Sequence, residues 1–422
     1  MKKRYLFPVL LIFLPMLAFG LFSIFDTDAV YSDREKRELT PLPELTAASY
    51  ADASFMKRFE DYYADTFPLR GGLLAAARRV RSLILLTGLV GGEDVVVLPS
   101  ARTVAVVPEG GGEAGANEAQ ELSGILYYGN RLMEIFCESD ANLTAYASVL
   151  NRLTEAGGRP LYVMLPTPAY TLYAPEEQRA AGTDFAASLD KLKGLLDGPV
   201  LLDLDTAMRK AAAEDEAIYF RTDHHWTARG AYLAADALAR ADGLTLPTLG
   251  SYASGSRSGF LGSLYNSAAA QSVSSKFDRA PDTVTYYFPQ YGYTLDSYAS
   301  IALDDAEKRS LVVPDFAGDS NLYNIFCGGD MPIAHIRSEV GNGRSIFVIR
   351  DSYGHALLPF LSDLYEDVYA VDPRYYTADY TLKIGAFCDA HGIDSILVVN
   401  YSPMAVGGYW IEFAPYLENL LP

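Results

Sequence analysis

The sequence predicts an α/β protein built on a mostly parallel sheet with helices on both faces. Three observations carry that class. Short, near-continuous apolar runs stand at residues 160–166 (P-L-Y-V-M-L-P), 200–204 (V-L-L-D-L), 345–349 (S-I-F-V-I), 368–371 (V-Y-A-V) and 395–399 (S-I-L-V-V). Strands buried on both faces read this way, whereas half-exposed strands alternate apolar with polar. Segments of helical period separate the runs, at 143–156, 184–196, 227–241, 355–365 and 380–390, which is the rhythm of strand–helix–strand crossovers. Finally, half of the 422 residues are apolar and 21% are charged, the composition of a chain that buries a real core.

In chain order, Lys2, Lys3 and Arg4 precede an uncharged run at residues 5–25. As a helix that run is about 30 Å long, the thickness of a bilayer core. Asp26, Asp28 and Asp33 follow it, so the basic flank is placed inside and the remaining chain outside. Residues 1–25 are therefore read as a transmembrane signal anchor, single-pass, with the rest of the chain on the extracytoplasmic side of the cell membrane. A cleaved signal peptide, using the small residues Ala18 and Gly20, is the alternative.

Residues 26–120 form a membrane-proximal approach segment. In it Phe55, Phe59, Tyr62 and Tyr63 have helical spacing that Pro68 ends; a second helix is predicted over 73–86 and a Gly-rich loop over 109–117. Residues 121–246 hold the first half of the α/β domain, with Thr227 placed to cap the helix at 227–241. Residues 247–340, rich in Ser, Gly, Tyr and Asp with short β-like runs, read as a β-rich insertion. Residues 341–422 hold the second half.

Composition narrows function. A formal net charge of -19 without any basic stripe argues against nucleic acid, whose phosphates require clustered Lys and Arg. Cys137, Cys327 and Cys388 are far apart and lack C-x-x-C spacing, which excludes a disulfide framework or a zinc knuckle. The 30 tyrosines suit either a surface for sugars and polar polymers or plain strand packing.

In parallel sheets, sites lie beyond the carboxyl ends of the strands, and three such ends carry polar clusters: Thr222-Asp223-His224-His225-Trp226-Thr227 after Tyr219-Phe220, Arg350-Asp351-Ser352-Tyr353-Gly354-His355, and Asn400-Tyr401-Ser402. A serine hydroxyl needs a base to become a nucleophile, and imidazole is a usable base near neutral pH. Asp223 and His225 stand two apart, so in an extended loop they point the same way and the carboxylate can fix the ring's tautomer. Ser352 follows a buried strand and enters a helix through Gly354, where a helix N-terminus favours an oxyanion. Each piece also has a plain reading, as loop structure or helix cap. Asp-His-His also marks metal-dependent phosphoesterases, but the further Asp-rich motifs those need are missing, and no metal is predicted.

T-D-H-H-W-T followed by V-I-R-D-S-Y-G-H-A-L-L-P-F-L resembles the DHHW protein family of bacteria, itself similar to the SGNH-like alginate O-acetyltransferases. The resemblance extends to E-K-R-E-L-T-P-L-P and F-E-D-Y-Y-A-D-T-F-P-L-R in the approach segment, G-F-L-G-S-L-Y-N at 259–266, and I-A-H-I-R-S-E-V-G-N-G-R at 333–344. It implies an SGNH-hydrolase-like α/β/α sandwich in which Ser352 is the nucleophile, His225 the base and Asp223 its orienting acid. For the oxyanion and substrate it leaves as candidates the Ser352 and Tyr353 N–H groups, Gly262, Ser263, Asn400 and Arg374; for Arg374 an ion pair with an acidic neighbour is the competing reading. His224, Trp226 and Asp351 are placed behind the reacting groups, and Asp351 either acts on the base or faces away. The implied activity is O-acetylation of a cell-surface or secreted polysaccharide through an acyl-serine. A membrane-bound O-acyltransferase partner would supply the acyl group, and no cofactor is called for. A carbohydrate acetyl-esterase with the same triad and a non-catalytic polysaccharide-binding or assembly protein are the competing readings.

Overall fold

The computed structural model describes residues 124–422 apart from 215–216, 268–269, 271–272, 279, 317–320, 376–381 and 410–411, together with residues 31–32, 37–38, 42–43, 55, 59, 62 and 120–122. The proposed anchor at 1–25, the helix at 73–86, the Gly-rich loop at 109–117 and Tyr63 lie outside the described residues. Among the described residues no helix is long and apolar enough to cross a membrane.

Two units divide the chain, residues 1–97 and 98–422. In the first, β1 (Tyr31–Ser32) pairs antiparallel with β2 (Arg37–Glu38). Phe55, Phe59 and Tyr62 are helical, with ring centroids 5.8 and 5.9 Å apart in succession, as their spacing predicts.

The second unit opens with an antiparallel meander, β3 (Gln120–Leu122), β4 (Ile125–Tyr128) and β5 (Arg131–Glu134). Then α1 (Asp140–Gly157) leads to β6 (Leu161–Met164), and α2 (Phe185–Leu195) to β7 (Val200–Leu201). The Ser139 side chain caps α1 by accepting from the Asn142 N–H, meeting one of the donors every helix start leaves open. Next come α3 (Asp205–Ala213) and α4 (Ala228–Ala241), the latter capped by Thr227 on the Gly230 N–H. After the ribbon β8 (Ser254–Phe260) and β9 (Asp282–Tyr287) stand β10 (Tyr293–Tyr298), β11 (Glu307–Arg309) and β12 (Ile333–Ser338). The end of the chain supplies β13 (Ser345–Arg350), α5 (Gly354–Leu361), β14 (Asp367–Val371), α6 (Ile384–His391) and β15 (Ser395–Val399).

The central sheet has the order β11-β10-β12-β14-β13-β15-β6-β7. From β14 to β7 every pairing is parallel; these are the apolar runs of the sequence. At the other edge β12, β10 and β11 add on antiparallel, so the sheet is mixed. All three come from the 247–340 segment, whose short runs extend the central sheet. β13 and β15 are buried along their whole length, as expected for strands covered on both faces. The run at 200–204 shortens to a two-residue edge strand because Leu204 and Asp205 turn into α3.

One sequence expectation changes. Residues 218–220 do not end a strand of the central sheet. They close a tight loop on 225–227 through the Tyr219–Trp226 bridge, with Phe220 N–H donating to the His225 carbonyl at 3.3 Å and Thr227 N–H to the Ile218 carbonyl at 3.0 Å. The remaining carbonyls are met from β5: Arg131 donates to those of Tyr219 and Phe220 at 3.1 and 2.9 Å, and Leu132 N–H to that of Arg221 at 2.7 Å. With its polar groups satisfied locally and by the meander, the segment needs no ladder partner.

Candidate active site

The site is assembled from two turns that come from distant parts of the chain. The first, residues 350–354, leaves β13 and enters α5. Arg350 is fully buried and lies under the start of α5; a Cβ on Gly354 would come 2.3 Å from its Cδ, so only glycine lets the helix start this close. Asp351 is buried and turned away from Ser352. Its carboxylate accepts from the Tyr353 N–H at 2.9 Å and from the Tyr401 N–H at 2.6 Å, which ties the turn after β13 to the turn after β15. Burial raises the Asp351 carboxyl above its ordinary range, against the pull of Arg374 and of those two backbone donors. Ser352 is left partly open at the tip.

The second turn is the loop 222–227. Its backbone is held by Asp282, whose carboxylate accepts from the N–H groups of Arg221 and Thr222 at 2.9 and 3.0 Å, from the Thr222 hydroxyl at 2.8 Å and from the Arg221 guanidinium at 2.8 Å. Trp226 is fully buried, and its indole N–H donates to the Tyr353 carbonyl at 3.0 Å. The Tyr353 hydroxyl in turn donates to the His224 carbonyl. The two turns are thus bonded to each other in both directions.

Between them stand the three predicted residues. His225 Nδ1 lies 2.6 Å from Asp223 Oδ1, and its Nε2 lies 2.8 Å from Ser352 Oγ. Asp223 Oδ1 also accepts from the His225 N–H at 2.9 Å, and Oδ2 from the Ser263 N–H at 2.7 Å. Burial opposes ionisation of Asp223, but the His225 and His224 rings and these hydrogen bonds outweigh it, so the carboxyl sits well below the usual carboxylate range. A carboxylate on Nδ1 leaves Nε2 as the nitrogen that can take the serine proton.

The oxyanion candidates are redistributed. Gly262 donates its N–H to Thr222 Oγ1 at 3.2 Å and Ser263 donates to Asp223, so both hold the acid and are not free donors. The Tyr353 N–H is taken by Asp351. Asn400 is fully buried, accepting from the Tyr146 hydroxyl at 2.6 Å and donating to the Val399 carbonyl at 2.8 Å. Arg374 grips Asp372 through Nε at 2.9 Å and Nη2 at 2.5 Å; the pair keeps the guanidinium charged in spite of its burial. Of the predicted donors, the Ser352 N–H alone has no intramolecular partner among the described residues. His224 is half-buried, with Nδ1 2.6 Å from Ser263 Oγ and its ring centroid 3.9 Å from that of His225. Burial and the neighbouring His225 lower its pKa.

Asp223, His224 and His225 also offer donor atoms close enough to share a metal ion. Both ring nitrogens of His225 already face partners suited to proton transfer and both oxygens of Asp223 already accept hydrogen bonds, so the donor set fits a hydrogen-bonded relay better than a metal.

Sequence reasoning misses three contributors: Thr222 and Asp282, which fix the loop, and Tyr323. The Tyr323 ring stacks on His225 at 3.9 Å and 12°, and its hydroxyl donates to the Ser352 carbonyl at 3.1 Å. Only its aromatic type, within a Tyr-rich segment, hints at this.

Comparison with known proteins agrees with the motif reading. Residues 204–371 match the family described as DHHW protein. No curated protein matches the chain in sequence. The crystal structure of a DHHW family protein from Eubacterium siraeum is similar at 29% identity and a TM-score of 0.62, over 72% of this chain and 98% of that one. Bacillus cereus PatB1, solved with a sulfonyl adduct, is similar at 17% identity and a TM-score of 0.56, over 71% and 98%; it shares the mixed α/β fold. The O-acetyltransferase domain of Pseudomonas putida AlgJ aligns over 69% and 96%, at 17% identity and a TM-score of 0.35.

Proposed function

We propose that this chain is an SGNH-hydrolase-like acyltransferase, anchored by residues 1–25 with its second unit outside the membrane, that O-acetylates a cell-surface or secreted polysaccharide. The observation that carries the reading is the continuous path from Asp223 through His225 to Ser352 Oγ, with contacts of 2.6 and 2.8 Å. His225 Nε2 takes the hydroxyl proton as Ser352 Oγ attacks the carbonyl carbon of an acyl ester, and Asp223 stabilises the imidazolium. The tetrahedral oxyanion meets the Ser352 N–H and the start of α5. Collapse breaks the bond to the leaving alcohol, which receives the proton from His225, and leaves acetyl-Ser352. A sugar hydroxyl then gives its proton to His225, attacks the acyl carbon, and restores the serine. The family match at 204–371 supports the reading, as does a fold that it shares with a protein able to carry a sulfonyl adduct.

The test is intact-mass analysis of the full chain incubated with an activated acetyl ester, alongside Ser352→Ala and His225→Ala. An acetyl adduct on the parent protein alone supports the reading. Equal behaviour of all three, without adduct or acetate release, would overturn it. Adding candidate oligosaccharides separates the directions: adduct transferred to sugar marks a transferase, and free acetate regardless of acceptor marks an esterase.

A further inference from the structure

The bond between His225 Nε2 and Ser352 depends on a ring that pivots about two single bonds; Asp223 holds one edge of that ring at Nδ1, and Tyr323 covers its face. Its ring lies nearly parallel to His225 at 3.9 Å and 12°, while the His224 ring lies 3.9 Å from His225 and tilted by 34°. Tyr323 is itself buried, 2% exposed, and packed edge-on by Phe220 at 6.3 Å and Phe326 at 5.3 Å. Its hydroxyl donates to the carbonyl of Ser352 at 3.1 Å, so one side chain touches both the base and the nucleophile's backbone. The segment that carries it is pinned to its neighbour, with Val313 N–H on the Ile325 carbonyl at 2.8 Å and Cys327 N–H on the Leu311 carbonyl at 3.0 Å. Cys327 itself sits at φ 62, a left-handed conformation uncommon outside glycine.

We propose that Tyr323 is a positioning residue for the acyl-transfer site. Its ring clamps the His225 imidazole in the rotamer aimed at Ser352 Oγ. The role rests on the acyl-transfer reading above. A swing of about 1 Å at a reacting group is enough to lower rates by up to about 100-fold, whereas losing one hydrogen bond to a carbonyl leaves the clamp in place.

The test compares the full chain with Tyr323→Phe and Tyr323→Leu, using p-nitrophenyl acetate as acyl donor and the NMR resonance of the His225 Cε1 proton. Tyr323→Phe, which keeps the ring, is expected to acylate within about 3-fold of the parent. Tyr323→Leu is expected to acylate at least about 30-fold more slowly with little change in KM, and its His225 signal loses the upfield ring-current displacement that the parent and Tyr323→Phe share. Acylation of Tyr323→Leu at the parent rate, or an unmoved His225 signal, would overturn the assignment. Should Tyr323→Leu lack a cooperative thermal transition, Tyr323→Met takes its place under the same criteria. If the parent chain fails to acylate, the acyl-transfer reading falls on its own. The His225 signal then decides the clamp alone: displaced by Tyr323→Leu it stands, unmoved it does not.

Discussion

The indole N–H of Trp226 donates to the carbonyl of Tyr353 at 3.0 Å, so a residue beside the base holds the residue beside the nucleophile. Trp226 is fully buried. Trp226→Phe keeps an aromatic ring but removes the indole donor from the carbonyl and opens a small cavity. We expect a loss of about 2–4 kcal/mol in unfolding free energy, read by chemical denaturation, with acylation of Ser352 falling more than stability alone explains. Full acylation at a temperature where the variant is folded would show that the tie is purely structural.

Asp223→Asn removes the charge while keeping the shape. The amide can still accept from the Ser263 N–H, but it can present its NH₂ group to Nδ1 and favour the tautomer with the proton on Nε2. A drop on the order of 10³–10⁴-fold in acylation rate is expected, with circular dichroism unchanged. A rate within tenfold of the parent would mean that Asp223 does not orient the base.

Much of the scaffold is legible in the sequence because its strands are apolar runs and its helices are periodic. β13 and β15 are read directly, and Thr227 as a cap follows from residue type and place. The site is legible only in part. Asp223, His225 and Ser352 announce themselves by chemistry and by position beside turns. The roles of Gly262 and Ser263 do not, since nothing in a local stretch says which carboxylate their N–H groups meet; they meet Asp223 and Thr222, about forty residues away in sequence. Asp282 and Tyr323 are hidden for the same reason: Asp282 meets Thr222 across 60 residues and Tyr323 meets Ser352 across 29. The antiparallel edge of the sheet is legible only as β-like character within 247–340, since nothing local says that β12, β10 and β11 add onto β14.

Gly262 tests whether that loop must approach so closely. A Cβ there would lie 2.3 Å from the Asp223 Cβ and 2.4 Å from its Oδ2, closer than any packed contact allows. Gly262→Ala must push either the loop or the carboxylate aside. We expect about 1–3 kcal/mol of destabilisation and a clear loss of Ser352 acylation, since the Ser263 N–H moves with the loop. Retention of both would show that the loop gives way without disturbing Asp223.

Asp223 also sets a pH dependence of stability. Its carboxyl ionises well below the usual range in the folded protein, because His225, His224 and the Ser263 N–H outweigh the effect of burial. In the unfolded chain an aspartate ionises near about 3.9. Stability from this group is therefore complete above that unfolded value and is lost as pH falls below it toward the folded value. Asp223→Asn has no such charge to lose. The difference in unfolding free energy between parent and variant should be steady from about pH 7 to about pH 5 and should shrink toward about pH 3. Urea titrations of both proteins at a series of pH values measure it. A difference that stays constant across the acid range would mean that the buried carboxyl is not carrying charge against the two histidines, and the assignment of His225 as the base it stabilises would lose its electrostatic foundation.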